Sequence, residues 1–247
     1  TREAFENEGV EVLYGDTDSV FVKLHASRAE AARAEAERLR ERVEAQITGR
    51  IRSQYDVEPR LELELEKVFE RWLLPRVRGG TSGSKKRYAG WSEHGGLELV
   101  GLESVRRDWP PIARRLQTGM LERVFRDEAV LPYVKELAER VLAGEHDDEL
   151  VYAKRVRKGS LERYTATTPP HIQAARKAAG AAGPVVRYVV TTTSGPEPVL
   201  PGRPFPGGLD RRHYLERVLR PVADSILDLL DSSFDEALGA PRQLPLL

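Results

Sequence analysis

The sequence predicts an α+β fold, with a sheet-rich first part followed by a mainly helical second part. Short runs in which apolar and polar residues alternate, the pattern of half-buried strands, lie mostly before residue 105. After Gly101, apolar residues recur every three or four positions, as on one face of a helix. The chain has 247 residues and 40% of them are apolar, which is enough to bury a core. We therefore expect a domain boundary near residues 102–110.

The first part begins with a predicted β-hairpin. Residues 10–14 and 19–24 are rich in strand-forming side chains and are joined by a short polar stretch with acidic residues at its tip. An Ala-, Glu- and Arg-rich helix is then predicted from Ser27, which forms a capping box with Glu30, to about Ile47. We expect this helix to serve only in packing.

A further strand and a second hairpin complete the predicted sheet. Residues 61–74 begin with strictly alternating Leu and Glu, which predicts a strand with one apolar and one acidic face. Gly95 and Gly96 predict a tight turn before a strand at 97–102.

Helices dominate the predicted second part. Two amphipathic helices are indicated by these apolar residues: Ile112, Leu116, Leu121, Val124 and Phe125 in one, and Tyr133, Leu137, Val141 and Leu142 in the next. Residues 180–184 and 195–208 are rich in Gly and Pro and predict loops. Between them, residues 185–191 predict a strand, and residues 214–230 predict a closing amphipathic helix.

The composition excludes several classes of protein. With no Cys, the chain has no disulfide framework, thiolate zinc site or cysteine nucleophile, and its five His are scattered. Any bound metal would therefore be a hard, oxygen-bound cation. No run approaches the roughly 20 apolar residues of a membrane helix, and the first residues lack the features of a signal peptide. Because the chain starts at Thr1 rather than at Met, we expect it to be a piece of a longer protein.

The charges balance overall but are unevenly placed along the chain. Lys and Arg together number 39, as do Asp and Glu. Acidic residues outnumber basic ones in residues 1–70 and 128–150, whereas basic residues outnumber acidic ones in residues 71–115 and 151–190. Such a distribution suits a protein that holds cations at one place and phosphates at two others, although solvated helix faces explain it equally well.

Asp16 and Asp18 lie two residues apart at the tip of the predicted hairpin. This spacing can direct both carboxylates to one side, where they can share a hard divalent cation. Taken alone, Gly-Asp-Thr-Asp is more often a plain turn. An EF-hand calcium loop is excluded, because it needs Gly at its sixth position and Glu at its twelfth, where this chain has Phe21 and Ser27.

The longer string Tyr14-Gly15-Asp16-Thr17-Asp18-Ser19 resembles the YGDTDS motif of family B DNA polymerases. The resemblance implies that the hairpin belongs to a polymerase palm. It also implies that Asp18 binds Mg²⁺ beside the deoxynucleoside triphosphate and the primer end, with Asp16 in a supporting role. These roles agree with two-metal phosphoryl transfer, in which cations stabilise the attacking and leaving oxygens.

The resemblance continues in order along most of the chain. The Leu-Glu alternation is similar to a family segment in which carboxylates matching Glu64 and Glu66 approach the metal. Other residues resemble family positions that hold primer-template DNA: Lys85, Lys86, Arg87 and Tyr88 in a KKxY motif, Arg106, Arg107 and Asp108 at the palm-to-thumb junction, and Tyr164 and His171 in the thumb. The basic block at 151–190 gives the thumb assignment an independent electrostatic basis.

The last five residues resemble the bacterial sliding-clamp-binding peptide, usually Gln-Leu-x-Leu-Phe. The matching residues are Gln243, Leu244, Leu246 and Leu247, and the departure is Leu247 in place of Phe. A tail of Gln and spaced aliphatic residues can dock into an apolar groove. The resemblance thus implies the C-terminal part of a palm at 1–105, a thumb at 106–242 and a clamp-binding tail at 243–247.

The stretches GSKKRYAG and PPHIQAARKA are most similar to bacterial members of the family, which implies a role in DNA replication or repair in the bacterial cytoplasm, near the nucleoid. The earlier palm motif with its own metal-binding Asp, the fingers and the exonuclease are not among these residues. We therefore expect the chain alone not to polymerise.

Two alternatives remain open. The first is a non-catalytic module that binds duplex DNA through the basic segments and needs no carboxylates. The second is a nuclease that uses Asp16, Asp18, Glu64 and Glu66 as its own metal cluster and cleaves DNA unaided.

Overall fold

The computed structural model describes most of the chain, namely residues 1–26, 28–75, 86–157, 161, 164, 168–181 and 183–240. These residues form antiparallel sheets and several helices, which confirms the predicted α+β class. Ser27, Lys85 and the predicted clamp-binding tail lie outside the described residues. None of the helices in the described part is long and apolar enough to cross a membrane.

The chain divides into two compact units. The first unit contains Thr1–Leu74 and Ser84–Glu98, and the second contains Pro75–Gly83 and Leu99–Leu247. The division falls a few residues before the boundary predicted at 102–110.

The described residues of the first unit form helices and short strands. They are α1 (Arg2–Asn7), β1 (Glu11–Gly15), β2 (Val20–Lys23), α2 (Ala29–Tyr55), β3 (Phe69–Leu73), β4 (Tyr88–Ser92) and β5 (Leu97–Val100), whose last residues belong to the second unit. Strands β1 and β2 form the predicted hairpin, with Gly15 paired to Val20. Strands β3, β4 and β5 form a second sheet in that order, and a turn at Gly95 joins the last two, as predicted.

Helix α2 is longer than predicted. It begins at Ala29 with Arg28 as its N-cap. The predicted capping box involves Ser27, which lies outside the described residues. The helix ends only at Tyr55, where Asp56 adopts a left-handed conformation with φ 50°. Two of its apolar side chains, Leu39 and Val43, are buried in a core cluster with Ala4 and Val10.

Residues 61–66, here called the acidic segment, do not form part of a strand, so the strand predicted at 61–74 is shorter than expected. Only Phe69–Leu73 is a strand. The Leu side chains of the acidic segment are half-buried and its Glu side chains are exposed, so the alternation was interpreted correctly. A strand also needs a hydrogen-bonded neighbour, which periodicity does not supply. Leu63 bonds instead to side chains of α2.

The described residues of the second unit are mainly helical. The helices are α3 (Pro111–Phe125), α4 (Leu131–Ala143), α5 (Pro170–Lys177), α6 (Arg211–Tyr214), a π turn (Leu215–Leu219), α7 (Arg220–Leu227) and α8 (Phe234–Ala237), with short 3₁₀ turns at Glu103–Val105, Asp147–Leu150 and Asp228–Leu230. The strands are β6 (Tyr152–Arg155), β7 (Val185–Thr191) and β8 (Gly195–Pro198). Helices α3 and α4 and strand β7 confirm the sequence predictions.

The predicted closing helix and the predicted loop at 195–208 both needed correction. The closing helix is interrupted by the π turn just before Pro221, because proline has no amide hydrogen and its ring clashes with the carbonyl four residues earlier. The loop contains β8, which pairs Pro196 with Val190 and Pro198 with Tyr188 at the sheet edge. Edge strands tolerate proline, so its presence did not exclude a strand.

Candidate active site and nucleic-acid interface

Residues 16–19 form the carboxylate turn at the tip of the β1–β2 hairpin. The Asp16 amide donates a hydrogen bond to the Ser19 carbonyl oxygen at 2.9 Å, which closes the turn. Asp16 is half-buried and Asp18 is exposed. Within the described part of the chain, no hydrogen bond or ion pair reaches the Asp18 carboxylate. Among the described residues, the Asp18 oxygens are therefore available to bind a hard cation.

The Asp16 carboxylate, by contrast, is held by its surroundings. Its Oδ1 accepts hydrogen bonds from the Thr17 amide at 2.8 Å and from Thr17 Oγ1 at 3.3 Å. The Lys86 ammonium lies 3.4 Å from its Oδ2. The pKa of Asp16 is lowered, chiefly by the bond from the Thr17 amide, with the Lys86 charge adding to the effect. Asp16 thus stays ionised while its charge is partly balanced.

Lys86 is the link between the two motifs that resemble polymerase sequences. Its amide donates a hydrogen bond to the Tyr14 hydroxyl at 2.7 Å, and its backbone is left-handed with φ 57°. Tyr14 precedes the carboxylate turn, so the basic motif is attached to the acidic one through both the backbone and the side chain of Lys86. The motifs lie far apart in sequence and meet only in the fold.

Tyr88 belongs to an aromatic cluster that supports the hairpin. Its ring meets that of Phe21 edge-on, with centroids 5.1 Å apart, and lies 6.1 Å from that of Trp72. Phe21 stacks on Trp72 at 5.3 Å. Burial raises the pKa of the Tyr88 hydroxyl. The neighbouring Arg87 is half-buried, and Lys85 lies outside the described residues.

A cleft of about 1610 Å³ in the first unit is lined by the predicted metal-site carboxylates, which are Asp16, Asp18, Glu64 and Glu66. Glu64 and Glu66 are exposed. Among the described residues, however, no three His, Asp or Glu side chains lie close enough together to hold a metal ion. The structure thus brings the four carboxylates to one cleft without forming a complete ligand set.

In the second unit, the predicted DNA-contact residues differ in their freedom to bind. Arg106 donates to both carboxylate oxygens of Asp108, at 3.1 and 3.0 Å, and its guanidinium lies 5.9 Å from the Trp109 ring. Lys154 also lies 3.8 Å from Asp108. Arg107 is exposed, and no bond or ion pair reaches it from the residues that the structure describes. Arg107 is thus the more available cation of the two.

Tyr164 and His171 lie beside a group of positive charges. Tyr164 is only 8% exposed, and its hydroxyl accepts a hydrogen bond from the Arg157 amide at 3.1 Å. Its ring meets that of His171 edge-on at 6.3 Å. The pKa of His171 is lowered by burial and by the charges of Lys154 and Arg157. Tyr164 is therefore a buried partner of the Arg157 backbone, and His171 lies near enough to Lys154 and Arg157 for their charges to act on it.

The β6–β7 ladder presents further cations. Ala153 pairs with Arg187 and Arg155 pairs with Val185, so both arginines lie on the same face of the sheet, where both are exposed. The other face packs on α5 through Val186. This one-sided arrangement places positive charge on the solvent face, as binding to a phosphate backbone requires.

A family model described as DNA polymerase family B matches residues 2–198 of the chain. The chain belongs to family B of the DNA polymerases. This membership confirms the family indicated by the YGDTDS-like string.

Relatives of this polymerase chain occur in bacteria and archaea. It is 40% identical to DNA polymerase II of Escherichia coli over an alignment of 248 positions, which covers 95% of this chain and 31% of that protein. It is 30% identical to DNA polymerase 2 of Aeropyrum pernix over an alignment of 251 positions, which covers 97% of this chain and 28% of that protein. It is 29% identical to a DNA polymerase of Thermococcus kodakarensis over an alignment of 239 positions, which covers 92% of this chain and 13% of that protein. The expected similarity to a bacterial family member is thus confirmed. The chain spans less than a third of the length of each of these relatives.

Sequence reasoning missed the polar contacts that hold this site together. Arg40 and Glu44 on α2 are spaced as a helical ion pair, which the sequence shows, but nothing in it indicates their bonds to Leu63. The contact of Lys86 with Asp16 had no sequence signal either.

Proposed function

We propose that this chain supplies part of the catalytic palm, together with the thumb, of a DNA-directed DNA polymerase that acts in replication or repair of bacterial DNA. In this proposal, residues 1–105 are the C-terminal part of the palm and residues 106–242 are the thumb. The observation that carries the proposal is the Asp18 carboxylate, which is exposed at the tip of a hairpin whose Tyr14 and Asp16 both contact Lys86.

The carboxylates of the cleft fit Mg²⁺ as part of a shared ligand set. Mg²⁺ prefers oxygen ligands and is usually bound through one or two carboxylates plus substrate phosphates. Asp18 would hold it, with Asp16, Glu64 and Glu66 nearby, and the remaining protein ligand would come from the earlier palm motif. When bound, Mg²⁺ neutralises charge on the triphosphate and stabilises the attacking and leaving oxygens.

The chain's own residues would position the substrates. Asp16 stays ionised and is held by Thr17 and Lys86, so it keeps the carboxylate turn in one conformation. Lys86, Arg107 and the exposed arginines of the β6–β7 sheet would contact the primer-template backbone. Phosphate contacts of this kind fix the register of the DNA without reading its sequence.

We also propose that Gln243, Leu244, Leu246 and Leu247 dock into an apolar groove of the bacterial sliding clamp. The support is their match to the clamp-binding pattern at all positions but the last. Burial of a Leu side chain stabilises binding by about 1.5–3 kcal/mol, offset by the cost of ordering the tail, so we expect about micromolar affinity.

The test is Asp18→Ala in the complete polymerase, with Asp148→Ala as a matched control for loss of an exposed carboxylate. We expect Asp18→Ala to abolish nucleotide incorporation in a primer-extension assay while duplex affinity stays near the parental value, because the carboxylate serves the reaction and not DNA binding. A non-catalytic DNA-binding module would make both variants indistinguishable from the parent. Extension by the Asp18 variant at the parental rate would therefore disprove the proposed function.

A further inference from the structure

Arg40 and Glu44, one turn apart on α2, hold the backbone of Leu63 at both of its polar groups. Glu44 Oε2 accepts a hydrogen bond from the Leu63 amide at 2.8 Å. Arg40 Nη1 donates to the Leu63 carbonyl oxygen at 3.3 Å and to Glu44 Oε2 at 3.2 Å. The ion pair thus satisfies the donor and the acceptor of one residue, as a neighbouring antiparallel strand would.

The side chain of Leu63 provides a second anchor. It packs against the core cluster that contains Leu39 and Val43 of α2. Side chains alternate along an extended backbone, so a Leu63 fixed toward the core directs Glu64 and Glu66 to the opposite side. Both glutamates are exposed and line the same cleft as Asp18.

Charged side chains of helix α2 also contact two other parts of the first unit. Glu35 accepts hydrogen bonds from the amides of His25 at 3.1 Å and Ala26 at 2.9 Å, just after β2. Arg33 pairs with Glu93 in the turn between β4 and β5. The polar side of α2 therefore holds the hairpin, the acidic segment and the second sheet, which a helix that served only in packing would not do.

We propose that Glu44, together with Arg40, is a positioning residue of the polymerase site. Through Leu63 it fixes the acidic segment so that Glu64 and Glu66 stay in the cleft that the carboxylate turn also lines. This inference rests on the proposed function, because it assigns Glu64 and Glu66 to the reacting site.

The first measurement is amide hydrogen exchange at Leu63 in the chain, followed by NMR. The variants are Glu44→Ala, which removes the acceptor, and Glu44→Gln, which keeps an oxygen acceptor but removes the charge. Glu41→Ala is the matched control, because Glu41 also pairs with Arg40, at 3.6 Å, but has no bond to Leu63. We expect exchange at Leu63 to accelerate about 10-fold to 100-fold in Glu44→Ala, less in Glu44→Gln and little in Glu41→Ala.

The second measurement is single-turnover nucleotide incorporation by the complete polymerase with the same substitutions. We expect Glu44→Ala to lower the incorporation rate about 10-fold to 100-fold and to raise the Mg²⁺ concentration needed for half-maximal rate, without changing duplex affinity. Glu44→Gln should restore part of the rate. A variant that merely loses stability would lower the active fraction without moving the Mg²⁺ dependence.

The proposal is overturned if Leu63 exchanges equally fast in Glu44→Ala and Glu41→Ala, or if exchange accelerates while rate and Mg²⁺ dependence stay parental. These outcomes are distinct from failure of the proposed function. That failure would be seen as parental activity of Asp18→Ala, whatever the Glu44 variants show.

Discussion

Arg107 and Arg106 are neighbours in sequence, but the structure predicts different contributions to DNA binding. Arg107 is exposed, and the described residues offer it no ionic partner, so it can bind a phosphate without giving up an interaction. Arg106 already donates two hydrogen bonds to Asp108. To bind a phosphate, Arg106 would first have to break this bidentate pair. We therefore expect Arg107→Ala to weaken duplex binding more than Arg106→Ala does.

The magnitude follows from counterion release. Each phosphate neutralised by a cation contributes about 0.9 to the slope of log affinity against log salt concentration. Loss of the Arg107 contact should therefore reduce the slope by about 0.9. Between about 50 mM and about 200 mM salt, the affinity of the variant should then fall about 3.5-fold less than that of the parent. Arg106→Ala should change the slope by less than about half as much, because its charge is already balanced by Asp108.

Fluorescence anisotropy with a labelled primer-template duplex, titrated at several salt concentrations, measures this slope. Arg203→Ala, which removes an exposed arginine from the 195–208 region, controls for the change in net charge. Equal slope changes for Arg106→Ala and Arg107→Ala would refute the reasoning from the Asp108 pair. An Arg107 variant with the parental slope would show that this residue does not reach a phosphate.

Three further predictions concern the basic motif, the helical core and the tail. If Lys86 contacts the phosphate backbone as proposed, Lys86→Ala should weaken duplex binding similarly on primers of different sequence; a loss confined to one sequence in the same anisotropy assay would contradict this. Gly119→Ala should destabilise the chain by about 1–2 kcal/mol in urea unfolding, because a Cβ there would lie 2.2 Å from the Tyr133 hydroxyl, which donates to the Arg115 carbonyl oxygen. In a Tyr133→Ala background, Gly119→Ala should instead raise the free energy of unfolding by up to about 1 kcal/mol, since alanine is a better helix former than glycine. If Gly119→Ala still lowered the free energy of unfolding in that background, the clash with Tyr133 would be excluded. Deleting residues 243–247 should leave distributive synthesis by the complete polymerase unchanged but remove stimulation by the clamp; equal calorimetric binding of intact and truncated chains to the clamp would leave the tail without this role.

Local patterns were sufficient for much of the fold. The hairpin around the carboxylate turn, helices α3 and α4 and strand β7 were predictable because turn residues and side-chain periodicity act over a few neighbouring positions. The string at 14–19 indicated the family for a similar reason, since the residues that carry the chemistry are adjacent in sequence.

The contacts that hold the site together were decided only by the tertiary structure. The acidic segment alternates like a strand, yet it pairs with the side chains of Arg40 and Glu44, because hydrogen-bonding partners are chosen by proximity in space. Lys86 meets Tyr14 and Asp16 for the same reason. Periodicity determines which side of a segment is buried, but it carries no information about which distant group satisfies its backbone or balances its charge.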